Sequence, residues 1–124
     1  MNGLVGLIID DEPAIRHLCK RLLEQHGFRV AVAANAAEGL DIAGKVLPDF
    51  VITDHNMPGM TGIQFCGELR KSDVTRETPI IMISGSGLQD NDFPEDCRPT
   101  KLVPKPFSLA TLFKAVQEVV EEME

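Results

Sequence analysis

The stretch LVGLIIDDEP, residues 4–13, decides the fold expected of this chain. Leu4 to Ile9 is a short apolar run rich in branched side chains, which is typical of a strand buried on both faces of a parallel sheet. The run ends in Asp10 and Asp11, and Pro13 follows at a position that the first turn of a helix tolerates. The stretch therefore predicts a buried strand that places two carboxylates at its carboxyl end, just before a helix.

The same alternation continues along the chain. Further apolar strands are predicted at residues 28–33, 50–53, 80–83 and 102–103, with helical spacing of apolar residues between them. Short connections between alternating strands and helices predict an α/β fold, a doubly wound five-stranded parallel sheet with helices on both faces. The fourth helix is expected to be weak or irregular, because residues 85–99 combine glycines, prolines and acids with few large apolar side chains.

Each predicted helix has one apolar face. Apolar residues recur at three- and four-residue spacing in the first and last helices, and the second helix points Leu40, Ala43 and Leu47 inward before Pro48. Asn35 and Ser108 stand where caps of the second and last helices are expected. The residues predicted to face the core are Ile15, Leu18, Cys19, Leu22 and Leu23 in the first helix, and Leu109, Leu112, Phe113, Val116 and Val120 in the last.

Length and composition exclude several classes of protein. The 124 residues suit one domain, expected over residues 1–124, and 44% apolar residues are typical of a globular chain. The formal charge of −7 argues against direct binding of nucleic acid or an anionic membrane. No secretory signal and no apolar run long enough to span a bilayer are visible. Three cysteines without a Cys-x-x-Cys pair suggest free thiols, so a cytoplasmic location is expected.

Polar residues end four of the predicted strands. Asp10 and Asp11 follow the first strand, Asp54 the third and Ser84 the fourth, while the fifth leads to Lys105. Because ligands of open parallel sheets bind at the carboxyl ends of the strands, we expect these side chains to converge. Crowded carboxylates repel one another, and a hard divalent cation such as Mg²⁺ relieves that repulsion. A cation, an amine and a hydroxyl together suit a phosphoryl group, which one carboxylate can carry as nucleophile.

Four motifs identify a family at this point. Asp10-Asp11-Glu12-Pro13, the segment Asp54–Gly62, Ser84-Gly85 and Lys105-Pro106-Phe107 closely resemble the receiver domains of bacterial two-component response regulators. The resemblance covers the whole chain, with each motif in the expected order. It implies the flavodoxin-like strand order 2-1-3-4-5 and a cis peptide bond between Lys105 and Pro106.

The resemblance also implies a role for each catalytic residue. Asp54 would be the phosphoacceptor, which receives a phosphoryl group from a histidine kinase or a histidine phosphotransfer protein. Ser84 would donate a hydrogen bond to the phosphoryl group, and Lys105 would pair with its charge. The phosphorylated domain would then signal through contacts with a downstream protein that the sequence does not identify.

The metal site follows from the same resemblance. Asp11 and Asp54 would bind Mg²⁺ directly and Asp10 through water, with the backbone carbonyl of Asn56 as a further ligand. Two departures concern the signalling route: Leu102 replaces the aromatic residue usual in the family, and Gly85 replaces a common alanine.

Two alternative functions remain open at this stage. An aspartate-nucleophile phosphatase of the haloacid dehalogenase type also groups acids, a hydroxyl and a lysine around Mg²⁺. That class needs a second Asp two residues after the nucleophile, whereas this chain has Asn56 there. The other alternative is a receiver-like scaffold that is not phosphorylated, against which the intact set of Asp54, Ser84 and Lys105 argues.

Overall fold

A single parallel sheet organises the chain. The computed structural model describes residues 3–85 and 93–123, except for the side chain of Asp96. The five strands lie in the order β2-β1-β3-β4-β5, and every neighbouring pair is parallel, as predicted. The strands are β1 (Val5–Ile9), β2 (Arg29–Ala33), β3 (Phe50–Asp54), β4 (Ile80–Ser84) and β5 (Lys101–Pro104).

Four α-helices cover the two faces of the sheet in the described part of the chain. They are α1 (Pro13–Gln25), α2 (Ala36–Val46), α3 (Gly62–Lys71) and α4 (Leu109–Glu122). Between β4 and β5 the described residues hold one short 3-10 turn, Glu95–Cys97, which packs against α3. The weakly specified helix expected in this connection falls partly on residues 86–92, which lie outside the described residues.

The sheet divides the core into two layers. Phe50 and Ile52 of β3 pack with residues of α1 and α4, whereas Val51 packs with residues of α2 and α3 on the other face. Successive side chains of a strand point to opposite faces, so a central strand of a sheet covered on both faces is buried on both sides. The burial of all five residues of β3 follows from that geometry.

The caps predicted at Asn35 and Ser108 are both present. The Asn35 side chain accepts a hydrogen bond from the Glu38 amide at 2.8 Å, and Ser108 accepts one from the Thr111 amide at 3.0 Å. At α1, the N-cap residue Glu12 makes no side-chain capping bond. Its own amide instead donates to Asp10 Oδ1 at 2.9 Å, so a carboxylate of the predicted site also orders the start of α1.

Three leucines predicted to face the core are exposed. Leu47 is 51% exposed because α2 ends at Val46, and Leu47 itself has a left-handed backbone with φ of 50°. Leu18 and Leu109 are 47% and 42% exposed, since each lies at the margin of its helix's apolar face. These two leucines line an open groove beside the segment that carries Lys105, described below.

Candidate functional site

Two buried carboxylates stand side by side at the carboxyl edge of the sheet. β1 and β3 are parallel neighbours with Ile9 opposite Thr53, so the next residues, Asp10 and Asp54, end the two strands at the same level. Asp10 is 2% exposed and Asp54 is 3% exposed. The exposed Asp11 joins them, and one carboxylate oxygen from each of the three residues lies within 4.8 Å of the others. The predicted acidic cluster is thus assembled.

Burial dominates the electrostatics of Asp10. Desolvation raises the pKa of the Asp10 carboxyl above its ordinary value, and the charges of Asp54 and Asp11 raise it further. The hydrogen bond from the Glu12 amide and the charge of Lys105 act in the opposite direction without cancelling the rise. The ionised form of Asp10 is therefore less favourable in the folded protein than in water, and a bound cation would relieve that penalty.

Lys105 supplies a positive charge to the cluster. Its Nζ lies 3.1 Å from Asp54 Oδ1, with the lysine side chain 33% exposed and the carboxylate almost fully buried. The backbone holds this segment in place, because the Lys105 amide donates to the Ser84 carbonyl at 2.9 Å. The peptide bond between Lys105 and Pro106 is cis, as the resemblance implied.

Asp54 Oδ1 is an under-bonded oxygen. It is buried and accepts no hydrogen bond from the residues that the structure describes, although the Lys105 charge is close. The Lys105 ammonium offsets part of the cost of burying this oxygen, which keeps unused hydrogen-bonding capacity. A ligand at this edge of the sheet would find an acceptor here.

Ser84 lies at the same edge. It ends β4, which pairs with β3 so that Ile83 is opposite Asp54, and Ser84 is 5% exposed. Ser84 therefore lies one residue beyond the position opposite Asp54. The structure places it on the rim shared by Asp54 and Lys105.

The loop from Asp54 to α3 is anchored at its first residues. The His55 amide donates to the Ile83 carbonyl at 2.9 Å, which extends the contact between β3 and β4. Met57 is 8% exposed, and its sulfur lies 3.9 Å from the Thr53 hydroxyl. Asn56, whose backbone carbonyl is a predicted metal ligand, lies between them and is exposed.

Gly62 closes that loop against the strand. Its amide donates to the His55 carbonyl at 2.8 Å. A Cβ at Gly62 would lie 2.8 Å from His55 Cα and 3.1 Å from the Asp54 carbonyl oxygen, so only glycine fits this approach. Thr61 and Gln64 form a capping box that starts α3 at the same point. The sequence motif contains Gly62, but the reason for the glycine appears only in three dimensions.

The donor set fits a hard divalent cation. The clustered ligand atoms are all carboxylate oxygens, and no histidine or cysteine belongs to the cluster within the described ranges. Oxygen ligands of this kind, few in number and partly open to water, are those that Mg²⁺ prefers. The under-bonded Asp54 Oδ1 adds a structural observation in favour of the same cation.

The fold and the site together define a signalling class. Residues 7–117 match the family model of the response regulator receiver domain, and the chain belongs to this family. This match confirms the family identified from the four motifs, the receiver domain of two-component regulatory systems.

Similar proteins give the same assignment. Protein PilH of Pseudomonas aeruginosa is 30% identical over 115 residues, covering 92% of this chain and 95% of its own. The phosphate regulon transcriptional regulatory protein PhoB of the same species is 30% identical over 97% of this chain. Among solved structures, the chemotaxis response regulator CheY4 of Vibrio cholerae has a TM-score of 0.87 and 32% identity, covering 94% of this chain and 98% of its own.

The coverage differs between these relatives. The chain spans about half the length of the first curated relatives it matches, 53% in the case of PhoB.

None of the helices that the structure describes combines the length and the apolar character needed to cross a membrane.

Proposed function

We propose that this chain is a phosphoacceptor receiver domain, residues 1–124, that takes a phosphoryl group onto Asp54. The observation that carries the proposal is the geometry around Asp54: a buried, under-bonded carboxylate oxygen lies 3.1 Å from an ammonium group and shares a cluster with two further acids. A structural ion pair does not need the two additional acids. A phosphoryl-transfer site needs all of these groups, because charge must be neutralised on several oxygens at once.

In the proposed reaction, a carboxylate oxygen of Asp54 attacks the phosphorus of a phosphohistidine on a histidine kinase or a histidine phosphotransfer protein. An O–P bond forms and the N–P bond breaks, so the imidazole leaves and the chain holds an acyl phosphate. The Lys105 ammonium pairs with the negative charge of the phosphoryl group, and the Ser84 hydroxyl donates to one of its oxygens. Attack of water on the acyl phosphate later returns inorganic phosphate and the free carboxylate.

The acidic cluster supports Mg²⁺ as the cofactor. Asp11 and Asp54 would hold Mg²⁺ directly, Asp10 through water, and the backbone carbonyl of Asn56 would complete the protein ligands. Bound there, the cation supplies neutralisation of the charge on the phosphoryl oxygens.

An apolar groove beside the site suits the phosphodonor protein. The groove has a volume of about 510 Å³ and joins the α1 surface to the Lys105 segment. Its exposed leucines, Leu18 and Leu109, are two of the three exposed leucines that sequence periodicity assigned to the core. Exposed apolar side chains next to a reactive group are typical of a contact surface. Together with the net charge of −7, this favours protein partners, upstream and downstream, over nucleic acid or membrane.

The test is an intact-mass measurement after incubation with acetyl phosphate and Mg²⁺. Wild type should gain one phosphoryl group that is lost in alkali, and Asp54→Asn should gain none. Asp41→Asn is the matched control, because Asp41 is an exposed acid paired with Lys45 on α2. Equal labelling of Asp54→Asn would assign the acceptor to another residue. A wild type that is never labelled, by acetyl phosphate or by a phosphohistidine donor, would leave the unphosphorylated scaffold as the better account.

A further inference from the structure

Asp10 makes hydrogen bonds with three other residues of the chain, donating one bond and accepting two. Its amide donates to the Ala33 carbonyl of β2 at 3.2 Å, and its Oδ1 accepts from the Glu12 amide at 2.9 Å. Its carbonyl oxygen accepts from Arg16 Nη1 at 2.7 Å. The third bond is the unusual one, because it commits a long cationic side chain to a backbone oxygen inside an acidic site.

The position of Arg16 is unfavourable for the helix that carries it. Arg16 is the fourth residue of α1, and its amide makes the helix's first backbone bond, to the Glu12 carbonyl at 3.1 Å. Cations are disfavoured near the positive end of a helix dipole, and the acids nearest to it, Asp10, Asp11 and Glu12, precede the first turn of α1 rather than lie in it. A charge-assisted bond to the Asp10 carbonyl offsets this cost.

The carbonyl that Arg16 holds belongs to the peptide unit joining Asp10 to Asp11. A guanidinium bonded to that oxygen fixes the orientation of the peptide plane, from which both carboxylates project toward Asp54. Among the described residues, Arg16 makes no ion pair with a carboxylate. Arg16 thus holds the backbone without occupying the oxygens that a cation would need.

We infer that Arg16 is a positioning residue of the divalent cation site: its guanidinium holds the Asp10–Asp11 peptide so that the acids present a preformed set of oxygens. The inference rests on the proposed function, since it concerns the same cation. Mg²⁺ demands near-ideal octahedral geometry, so ligands that are free to turn bind it more weakly. Groups that orient metal ligands typically contribute a factor of about 10–100 to metal affinity.

The sign of the effect separates positioning from simple electrostatics. A cation close to a metal site repels the metal, so removing Arg16 would tighten Mg²⁺ binding if its charge were all that mattered. Positioning predicts the opposite, a weaker site. A residue that serves only the stability of α1 would leave the Mg²⁺ affinity of the folded protein unchanged.

The experiment is calorimetric titration of the full chain with MgCl₂, without any phosphodonor, for wild type, Arg16→Met, Arg16→Lys and Arg21→Met. Arg21→Met is the control, because Arg21 is an exposed cation on the same helix. We expect Arg16→Met to raise the Kd for Mg²⁺ about tenfold. Arg16→Lys, which keeps a donor and the charge, should recover most of the affinity, and Arg21→Met should stay near wild type. Urea unfolding of each variant establishes that the titrated protein is folded; Arg16→Gln replaces Arg16→Met if the latter is not.

An unchanged or lower Kd for folded Arg16→Met or Arg16→Gln would overturn the inference and leave the proposed function intact. A wild type that does not bind Mg²⁺ would overturn both. A second readout is the amide spectrum: Mg²⁺ should shift the Asp11 amide resonance in wild type at concentrations that leave Arg16→Met unshifted. Equal shifts in both proteins would contradict positioning.

Discussion

The two edges of the sheet use the same residue types for opposite purposes. At the amino edge, Asp49 precedes β3, and its carboxylate accepts a hydrogen bond from the Val5 amide of β1 at 2.7 Å. At the carboxyl edge, Asp54 ends the same strand with one oxygen buried and under-bonded, beside Asp10 and Asp11. The Asp49 carboxylate thus links the start of β3 to β1, whereas an oxygen of the Asp54 carboxylate has no such hydrogen bond.

The cations differ in the same way. At the amino edge, Arg70 Nη1 donates to the carbonyls of Arg76 and Thr78 at 3.0 and 2.6 Å, which fixes the connection between α3 and β4. At the carboxyl edge, Lys105 approaches Asp54 as a charge, without a well-formed hydrogen bond. The comparison indicates that the acid at the amino edge stabilises the fold through its hydrogen bond, while Asp54 Oδ1 is left under-bonded at the carboxyl edge, where open parallel sheets generally bind ligands.

The largest expected effect on stability comes from a substitution where the loop after β3 packs against the end of that strand. Gly62→Ala should lower the free energy of unfolding by about 3 kcal/mol, because the new Cβ would press on the backbone of His55 and Asp54. Gly44→Ala is the control in α2, where a Cβ has open space, and it should raise stability by about 0.5–1 kcal/mol. Urea unfolding measures both. Similar changes for the two variants would mean that the close approach at Gly62 relaxes at little cost.

A smaller effect is expected at the amino edge. Asp49→Ala removes the acceptor of the Val5 amide and should cost about 1–2 kcal/mol of stability, whereas Asp49→Asn keeps an acceptor oxygen and should cost less. Labelling by acetyl phosphate should be unchanged in both variants under conditions where they are folded. A drop in labelling of folded Asp49→Ala would show that the two edges are coupled, contrary to the comparison.

The smallest effect has the opposite sign. Asp10→Asn keeps the oxygen that accepts from the Glu12 amide but removes a charge whose burial raises the pKa of Asp10. Because the pKa of Asp10 is higher in the folded protein than its ordinary value of 3.8, Asp10 contributes to stability in full at pH values below 3.8. That contribution is lost as the pH rises through the folded-state pKa. Without Mg²⁺, Asp10→Asn should therefore be more stable than wild type at pH 7, with the difference shrinking as the pH approaches 4.

Chemical unfolding at the two pH values, in a chelating buffer, measures this difference. Asp41→Asn, at an exposed pair, should show little change at either pH. A stability loss for Asp10→Asn at neutral pH would mean that the Asp10 charge stabilises the fold of the metal-free protein.

The sequence predicts much of the site because parallel strands bring their carboxyl ends to one edge. Asp10, Asp54 and Ser84 could be placed there from strand ends alone. The extent of burial was less predictable: periodicity defines the centre of a helix face, but the exposure of Leu18 and Leu109 depends on how far a neighbouring element reaches. In the connection that the sequence specifies weakly, the described residues hold the 3-10 turn Glu95–Cys97, and residues 86–92 lie outside the described part of the chain.

Contacts between distant residues were beyond sequence reasoning. The bond between Asp49 and Val5 joins residues 44 positions apart, and no local pattern announces it. The Arg16 contact depends on the path of a long side chain over the first turn of α1. The first is set by tertiary packing and the second by a side-chain conformation, and the spacing of residue types encodes neither.

The central claim is that Asp54 is the reactive carboxylate and that the others at either edge are not. Borohydride reduces an aspartyl phosphate to homoserine, so it marks the acceptor covalently. The protein is incubated with acetyl phosphate and Mg²⁺, reduced, digested and sequenced by mass spectrometry. We expect homoserine at position 54 and aspartate retained at Asp10, Asp11 and Asp49. Homoserine at Asp10 or Asp11, or equally at Asp49, would contradict the account.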